Sequence, residues 1–150
     1  MDSLQEQIAA QALAVLLAAA TPAGDRVYRS RSEALRREET PAIVIRPDME
    51  QTERESEEVD RNQFELSVEI LARESPDGST PWDAVADQVR VAAHAALMAD
   101  NAFPAVDRVQ RFYVDWVEEE GDNTAGNCMM RYRFTYLCSS TDLTSSPTYY

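Results

Sequence analysis

The stretch Asn62–Leu71, NQFELSVEIL, constrains the fold more than any other part of this chain. Phe64, Leu66, Val68 and Ile70 alternate with Glu65, Ser67 and Glu69. Side chains alternate across a strand, so this spacing puts the apolar residues on one sheet face and the polar ones on the other. An SPDG turn within Glu74–Ser79 follows, and then a helical pattern. That helix needs a sheet to lie on, and the Asn62–Leu71 strand supplies its centre.

The helix is well signposted. Thr80 stands as N-cap, Pro81 opens the first turn, and Asp83 completes a capping-box-like pair. Trp82, Val85, Val89, Ala93 and Ala96 form its apolar stripe, extended by Ala86 and Leu97. It runs to about Ala99. Opposite the stripe, Val91, Ala95 and Met98 make a small apolar patch that points to a subunit contact, although alanine is also a plain helix former. His94 is the only histidine and falls on the polar flank near Arg90 and Asp87, where a surface role is expected. No second histidine offers a metal pair, and no nucleophile can be tied to it by sequence.

Downstream, Asp100–Asp107 is a connector. Arg108–Glu119 reads as a strand with Val109, Tyr113 and Val117 on one face and Phe112, Val114 and Trp116 on the other. A turn over Gly121–Gly126 leads to a second strand, Asn127–Cys138. There Cys128, Met130, Tyr132, Phe134, Tyr136 and Cys138 share a face. The two strands form a long antiparallel hairpin. Cys128 and Cys138 lie about 33 Å apart along it, too far for a disulfide within the subunit, so both are read as reduced core residues. Without a CxxC or His/Cys cluster, no zinc site is expected.

Upstream, Ser3-x-x-Glu6 opens a first helix that runs to about Ala20. Leu4, Ile8, Ala12, Val15 and Ala19 lie on one face, with Leu13 and Leu17 nearly opposite. A helix apolar on both sides is either deeply buried or also faces another subunit. Its apolar run is too short to span a bilayer, and Asp2 and Glu6 precede it where a secretory leader is basic, so neither membrane span nor leader is expected. Arg26–Ser32 is a weak first strand, Ala34–Thr40 a charged loop or helical turn, and Pro41–Pro47 a strand bracketed by prolines.

Asp48–Arg61, DMEQTERESEEVDR, joins that strand to the central one. It carries Asp48, Glu50, Glu53, Glu55, Glu57, Glu58 and Asp60 against Arg54 and Arg61. Nothing in its middle looks buried, so it should protrude as a loop or a long hairpin tip. It is either a solvated linker or an acidic arm that reaches a partner or lines a channel. The net charge of −13 argues against non-specific nucleic-acid binding. All 14 basic residues are arginine, which fits both codon bias and a use of guanidinium forks in ion pairs.

The whole reads as a single α+β domain over residues 1–138, followed by a polar, flexible tail over 139–150. Its expected architecture is a mixed, mainly antiparallel sheet of about four to five strands, two helices packed on it, and a long C-terminal hairpin. No catalytic constellation is visible.

In order and spacing the chain resembles the tail terminator family of long-tailed bacteriophages, the minor tail protein U-like proteins. The first helix, the strand entered through Thr40-Pro41-Ala42-Ile43-Val44, and the charged excursion into Asn62–Ile70 carry the likeness. So do the helix opening on Trp82-Asp83-Ala84-Val85 and the final Met130–Tyr136 strand. The likeness covers most of Ser3–Cys138 and rests on order, with no single specific motif. It implies a hexameric ring in the virion tail, assembled in the host bacterial cytoplasm. Such a ring stops growth of the tail tube protein and offers a surface to head-completion proteins. DNA passes through its lumen, and the family works by contact, without catalysis, cofactor or membrane. The longer acidic excursion and the polar extension depart from the family and bear on the docking partners. In this frame Glu53, Glu55, Glu57 and Glu58, flanked by Glu50 and Asp60, are expected at the lumen or tube. Leu13, Leu17, Val91, Ala95 and Met98 are candidates for the subunit interface. The rival expectations are another neck or tail-completion protein, and a small-molecule-binding or enzymatic α+β domain. The last would show a concave pocket with convergent polar groups.

Overall fold

A computed structural model describes residues 1–147. Its elements are α1 (Leu4–Ala18), β1 (Val27–Arg29), a 3-10 turn (Arg37–Glu39), β2 (Ala42–Arg54), β3 (Val59–Arg73), α2 (Trp82–Leu97), β4 (Arg108–Glu119) and β5 (Asp122–Ser139). The sheet has five strands in the order β1-β2-β3-β5-β4, so β3 is its centre. Only β1 and β2 pair in parallel; the other neighbours are antiparallel. β4 therefore runs parallel to β3 with β5 inserted between them. The α+β reading with a mainly antiparallel sheet and a C-terminal strand pair is what forms.

The alternation in β3 does the organising. Phe64, Leu66, Val68 and Ile70 join Ile43 and Ile45 of β2 and Met130, Tyr132 and Phe134 of β5 in one core cluster. Both helices close this side, through Leu4, Ile8, Ala12 and Leu16 of α1 and Trp82, Ala86, Val89, Ala93 and Leu97 of α2. Cys128 and Cys138 are buried and unpaired. The connector contributes as well: Phe103 is buried and meets Phe134 edge-on at 4.9 Å. Among the described residues no helix is long and apolar enough to cross a membrane.

Among the described residues no helix covers the opposite sheet face, yet its centre is closed. Glu65 is only 8% exposed, because Arg133 lies across it at 2.9 Å and itself stacks on Phe112. Arg131 likewise lies 3.5 Å from Asp48 and over the Tyr113 ring. A polar face can be shut off from water by long arginine stems that carry their own ion partners.

Several local details differ from the sequence reading. β2 does not stop at Pro47. The register skips Asp48 between Pro47 and Met49, and this bulge lets the strand continue with polar residues to Arg54. The faces of β4 are also redistributed. A register shift between Arg111 and Tyr113 brings Val109 to the helix side with Val114 and Trp116, and leaves Tyr113 and Val117 on the other. β5 begins at Asp122, so the hairpin turns on Glu120 and Gly121, the latter at φ +78. α2 has Pro81 as N-cap with no side-chain capping bond, so Thr80 and Asp83 do not form the expected pair. Ser3 does cap α1 through Glu6 N, but the Glu6 carboxylate turns to Arg29.

Candidate functional site

The acidic stretch Asp48–Arg61 is mostly sheet. β2 and β3 pair out to Arg54 and Asp60, leaving a turn over Glu55–Glu58. Both Glu55 N and Ser56 N donate to Val59 O. Val59, near the end of the stretch in whose middle no burial was expected, is fully buried and anchors the end of the hairpin. β5 accompanies β3 all the way, pairing Ser139 with Val59. Where a free tail was expected from Ser139 onward, the described part to Pro147 folds back. Ser140 N donates to Glu58 O at 2.9 Å, Ser140 Oγ to Glu57 O at 3.2 Å, and Leu4 N to Leu143 O at 2.8 Å. The hairpin end is thus clasped through its backbone. Thr148–Tyr150 lie outside the described residues.

The six acidic candidates divide by what their carboxylates do. Glu50 accepts a hydrogen bond from the buried Tyr136 hydroxyl. Burial, and then that bond, push the Tyr136 phenol up. Glu55 takes two bonds from Arg61, at 3.0 and 3.1 Å, which hold it below the usual carboxylate range. Asp60 lies 3.9 Å from Arg54. Glu53 is near enough to Arg61 to raise the guanidinium's pKa, but makes no hydrogen bond or ion pair among the described residues. Glu57 is exposed, with its carboxylate likewise unpaired. Glu58 is exposed beside it. Cross-strand and local pairing therefore occupies part of the acidic set and leaves charge at the extreme turn facing solvent.

The apolar candidates lie on the helices. Leu17 is 45% exposed, Val91 63% and Met98 42%, and Ala95 is exposed between them. Leu13 instead packs against the core. Leu16, left out of the expected stripe, is fully buried.

His94 is not a plain surface residue. Its Nδ1 lies 2.7 Å from the Tyr132 hydroxyl, and the two rings are 5.7 Å apart. Burial first, then the charges of Arg111 and Arg90, hold it below its usual pKa. Arg90 bonds Asp87 at 2.7 Å and lies over the Trp116 ring. Sequence could place Arg90 beside His94 on one helix. It could not bring Arg111, on a strand reached only after a connector, to the same spot.

Away from the acidic turn, a cleft of about 640 Å³ is lined by Pro22, Arg37, Thr40, Pro41, Arg73 and Val85, among others. Its Arg73 is held by Asp122 at 2.9 Å and Glu119 at 3.6 Å. Among the described residues no group of three His, Cys, Asp or Glu could hold a metal ion. No protein-family model matches the chain, and no curated protein matches it.

Proposed function

We propose that this protein is a tail terminator of a long-tailed bacteriophage or prophage. In this reading copies form a ring, expected to be hexameric, that caps the tail tube in the virion and ends its polymerisation. The ring then presents the surface to which head-completion proteins join. It works by contact, with no catalytic step and no cofactor.

The observation that carries the reading is the order of elements over Ser3–Cys138: helix, proline-entered strand, acidic excursion, long strand, helix, long hairpin. Two features of the fold support it. Exposed apolar residues remain on the helices after the core is filled. The Glu57 carboxylate stands without a partner among the described residues on a turn whose backbone is held firm. Such a turn suits a lumen or tube contact, because like charge discourages DNA from sticking as it passes.

A deletion in the parent phage tests the reading. Tails of uncontrolled length are expected. Normal-length tails that lack heads would assign the chain to another neck position instead. Negative-stain imaging of the purified protein, with mass by light scattering, should show rings at high concentration or on tube ends. Replacing Glu53, Glu55, Glu57 and Glu58 together by Gln should impair head joining or DNA passage. Unchanged particles would remove the acidic turn from the mechanism.

A further inference from the structure

β4 lies at one margin of the sheet, and over its 12 residues it has a neighbouring strand on one side only. Among the described residues its backbone makes no backbone hydrogen bond except to β5. The N–H and C=O groups of its free side are therefore open to another strand. The other margin is guarded. β1 covers Ile43–Ile45 of β2, and beyond it Pro47 and the bulge at Asp48 interrupt the edge. β4 has no proline, and it exposes Tyr113, Trp116 and Val117. Its face pattern breaks once. Val109, Arg111, Val114 and Trp116 face the helices, while Arg108, Gln110, Asp115 and Val117 face away. Phe112 and Tyr113, adjacent in sequence, both lie on the far face, where Arg133 and Arg131 stack on them. A regular strand alternates without such a break, so it can match the faces of only one half of β4. A strand with the same break matches both halves. Charge has a direction along β4 as well. Arg108 and Arg111 stand in its first half, and Asp115, Glu118 and Glu119 in its second. Laid antiparallel against itself, the strand brings its basic half to its acidic half; laid parallel, it brings like to like.

We infer that β4 pairs antiparallel with β4 of a second copy of this chain across a two-fold axis, joining the two five-stranded sheets into one. One register keeps every face matched over Arg108–Val117. In it the axis passes between Phe112 and Tyr113, and each Phe112 faces the Tyr113 of the other copy. Outward from the axis Arg111 faces Val114, Gln110 faces Asp115, Val109 faces Trp116, and Arg108 faces Val117. Arg108 then lies diagonal to Asp115, a spacing that long side chains span. Aromatic and β-branched neighbours of this kind stabilise antiparallel ladders, and the two-fold supplies each pair twice. The shared break selects the occupant, because it sets Phe112 and Tyr113 of one copy against the same two residues of the other. The contact uses one patch on both copies and closes on itself, so it makes a dimer and not a ring. It goes beyond the terminator reading and does not rest on it.

Sedimentation and cross-linking of the full chain test this. Wild type should sediment as a dimer over a range of concentration. Asp115→Arg sets like charges together on both sides of the axis, and should weaken the dimer on the order of tenfold. Adding Arg108→Glu to the same chain should restore it, because every copy then carries the exchanged pair. Gln110→Cys together with Asp115→Cys places two exposed positions opposite one another, and mild oxidation should yield a covalent dimer. Within one chain these positions lie roughly 16 Å apart along the strand, too far to bridge. Either cysteine alone should not cross-link, and the native Cys128 and Cys138 are buried in every variant. A wild type that stays monomeric, a dimer indifferent to Asp115→Arg, or paired cysteines that link no better than single ones would each overturn the inference. Rings that form without the cross-link would overturn this pairing and leave the terminator reading standing. Normal-length tails in the deletion phage would retire the terminator reading whatever the β4 edge does.

Discussion

The β4–β5 turn and the β2–β3 turn lie at opposite ends of β3, and both crowd carboxylates into a few residues. At the first, Asp122 and Glu119 hold the turn, beside the exposed Glu118 and Glu120. Asp122 accepts from Thr124 N at 3.0 Å, from Thr124 Oγ1 at 2.5 Å and from Arg73 at 2.9 Å, and Glu119 shares that arginine. At the second, the backbone is held by Val59 and Ser140, and Glu53 and Glu57 are left over. A carboxylate that pins a turn and one that a pinned turn displays look identical in sequence. What separates them is whether a donor lies within reach. The contrast implies that damage at the β4–β5 end should appear as lost stability, and damage at the β2–β3 end as lost contact.

The largest effect is expected at Gly126. A Cβ there would lie 2.6 Å from the Trp82 ring, which sits flush on the strand. Gly126→Ala should therefore cost about 1–3 kcal/mol, the range for overpacking a filled core, read as a lower urea midpoint with unchanged slope. An unaltered midpoint would mean that Trp82 can shift, and would remove it as a fixed part of the β4–β5 end.

Tyr136→Phe probes the other end at a buried polar link. It deletes the hydroxyl that bonds Glu50 but keeps the ring in the core. Because Glu50 is exposed and can turn to water, the loss should be about 1 kcal/mol, the scale of one net hydrogen bond. A much larger loss would show that the β2–β3 end leans on this bond, and would narrow the difference between the two turns.

Asp122 gives the comparison a pH axis. The Thr124 hydroxyl, the Thr124 amide and then Arg73 lower its pKa to about 2. The folded value lies below the unfolded one of about 3.9, so the native state holds fewer protons between them. The stabilisation is present above the unfolded value and fades as pH falls through about 2. Asp122→Asn should therefore flatten the loss of stability in that acid window. Asp77, whose carboxyl is lowered to about 2 by Ser75 and Ser79, stays in place as the internal control.

How much of this could be read in the sequence depends on the range of the interaction. The strands, the helices and the buried faces of β3 and β5 were legible, because alternation and helical spacing are local and every second residue repeats the message. The continuation of β2 was not. Beyond Pro47 its side chains are polar, and the strand persists because β3, itself paired to β5, supplies a backbone partner. The bulge near Phe112 was hidden for a related reason: one unpaired residue flips all that precede it, and alternation alone does not say where a flip falls. In the acidic stretch the charges were visible but their sorting was not. Glu50 is engaged by a residue 86 positions away, whereas the Glu57 carboxylate makes no hydrogen bond or ion pair among the described residues. The charge of Arg111 reaches His94 only because α2 packs over β5, whose Tyr132 meets His94 and is in register with Arg111.

The smallest stability effect is expected at Glu57, and that smallness is the sharpest test of the contrast. Glu57→Gln removes a charge that no described ion pair uses and keeps the carbonyl that receives Ser140 Oγ. Its unfolding midpoint should coincide with that of wild type, as surface substitutions without partners usually do. Relief of crowding among neighbouring carboxylates would, if anything, raise the midpoint slightly. In the terminator reading the same substitution should still weaken head joining or DNA passage, since that carboxylate has no ion pair among the described residues. A clear loss of stability in Glu57→Gln would show that the turn needs the charge for itself, and the two acidic ends of the sheet would then be alike.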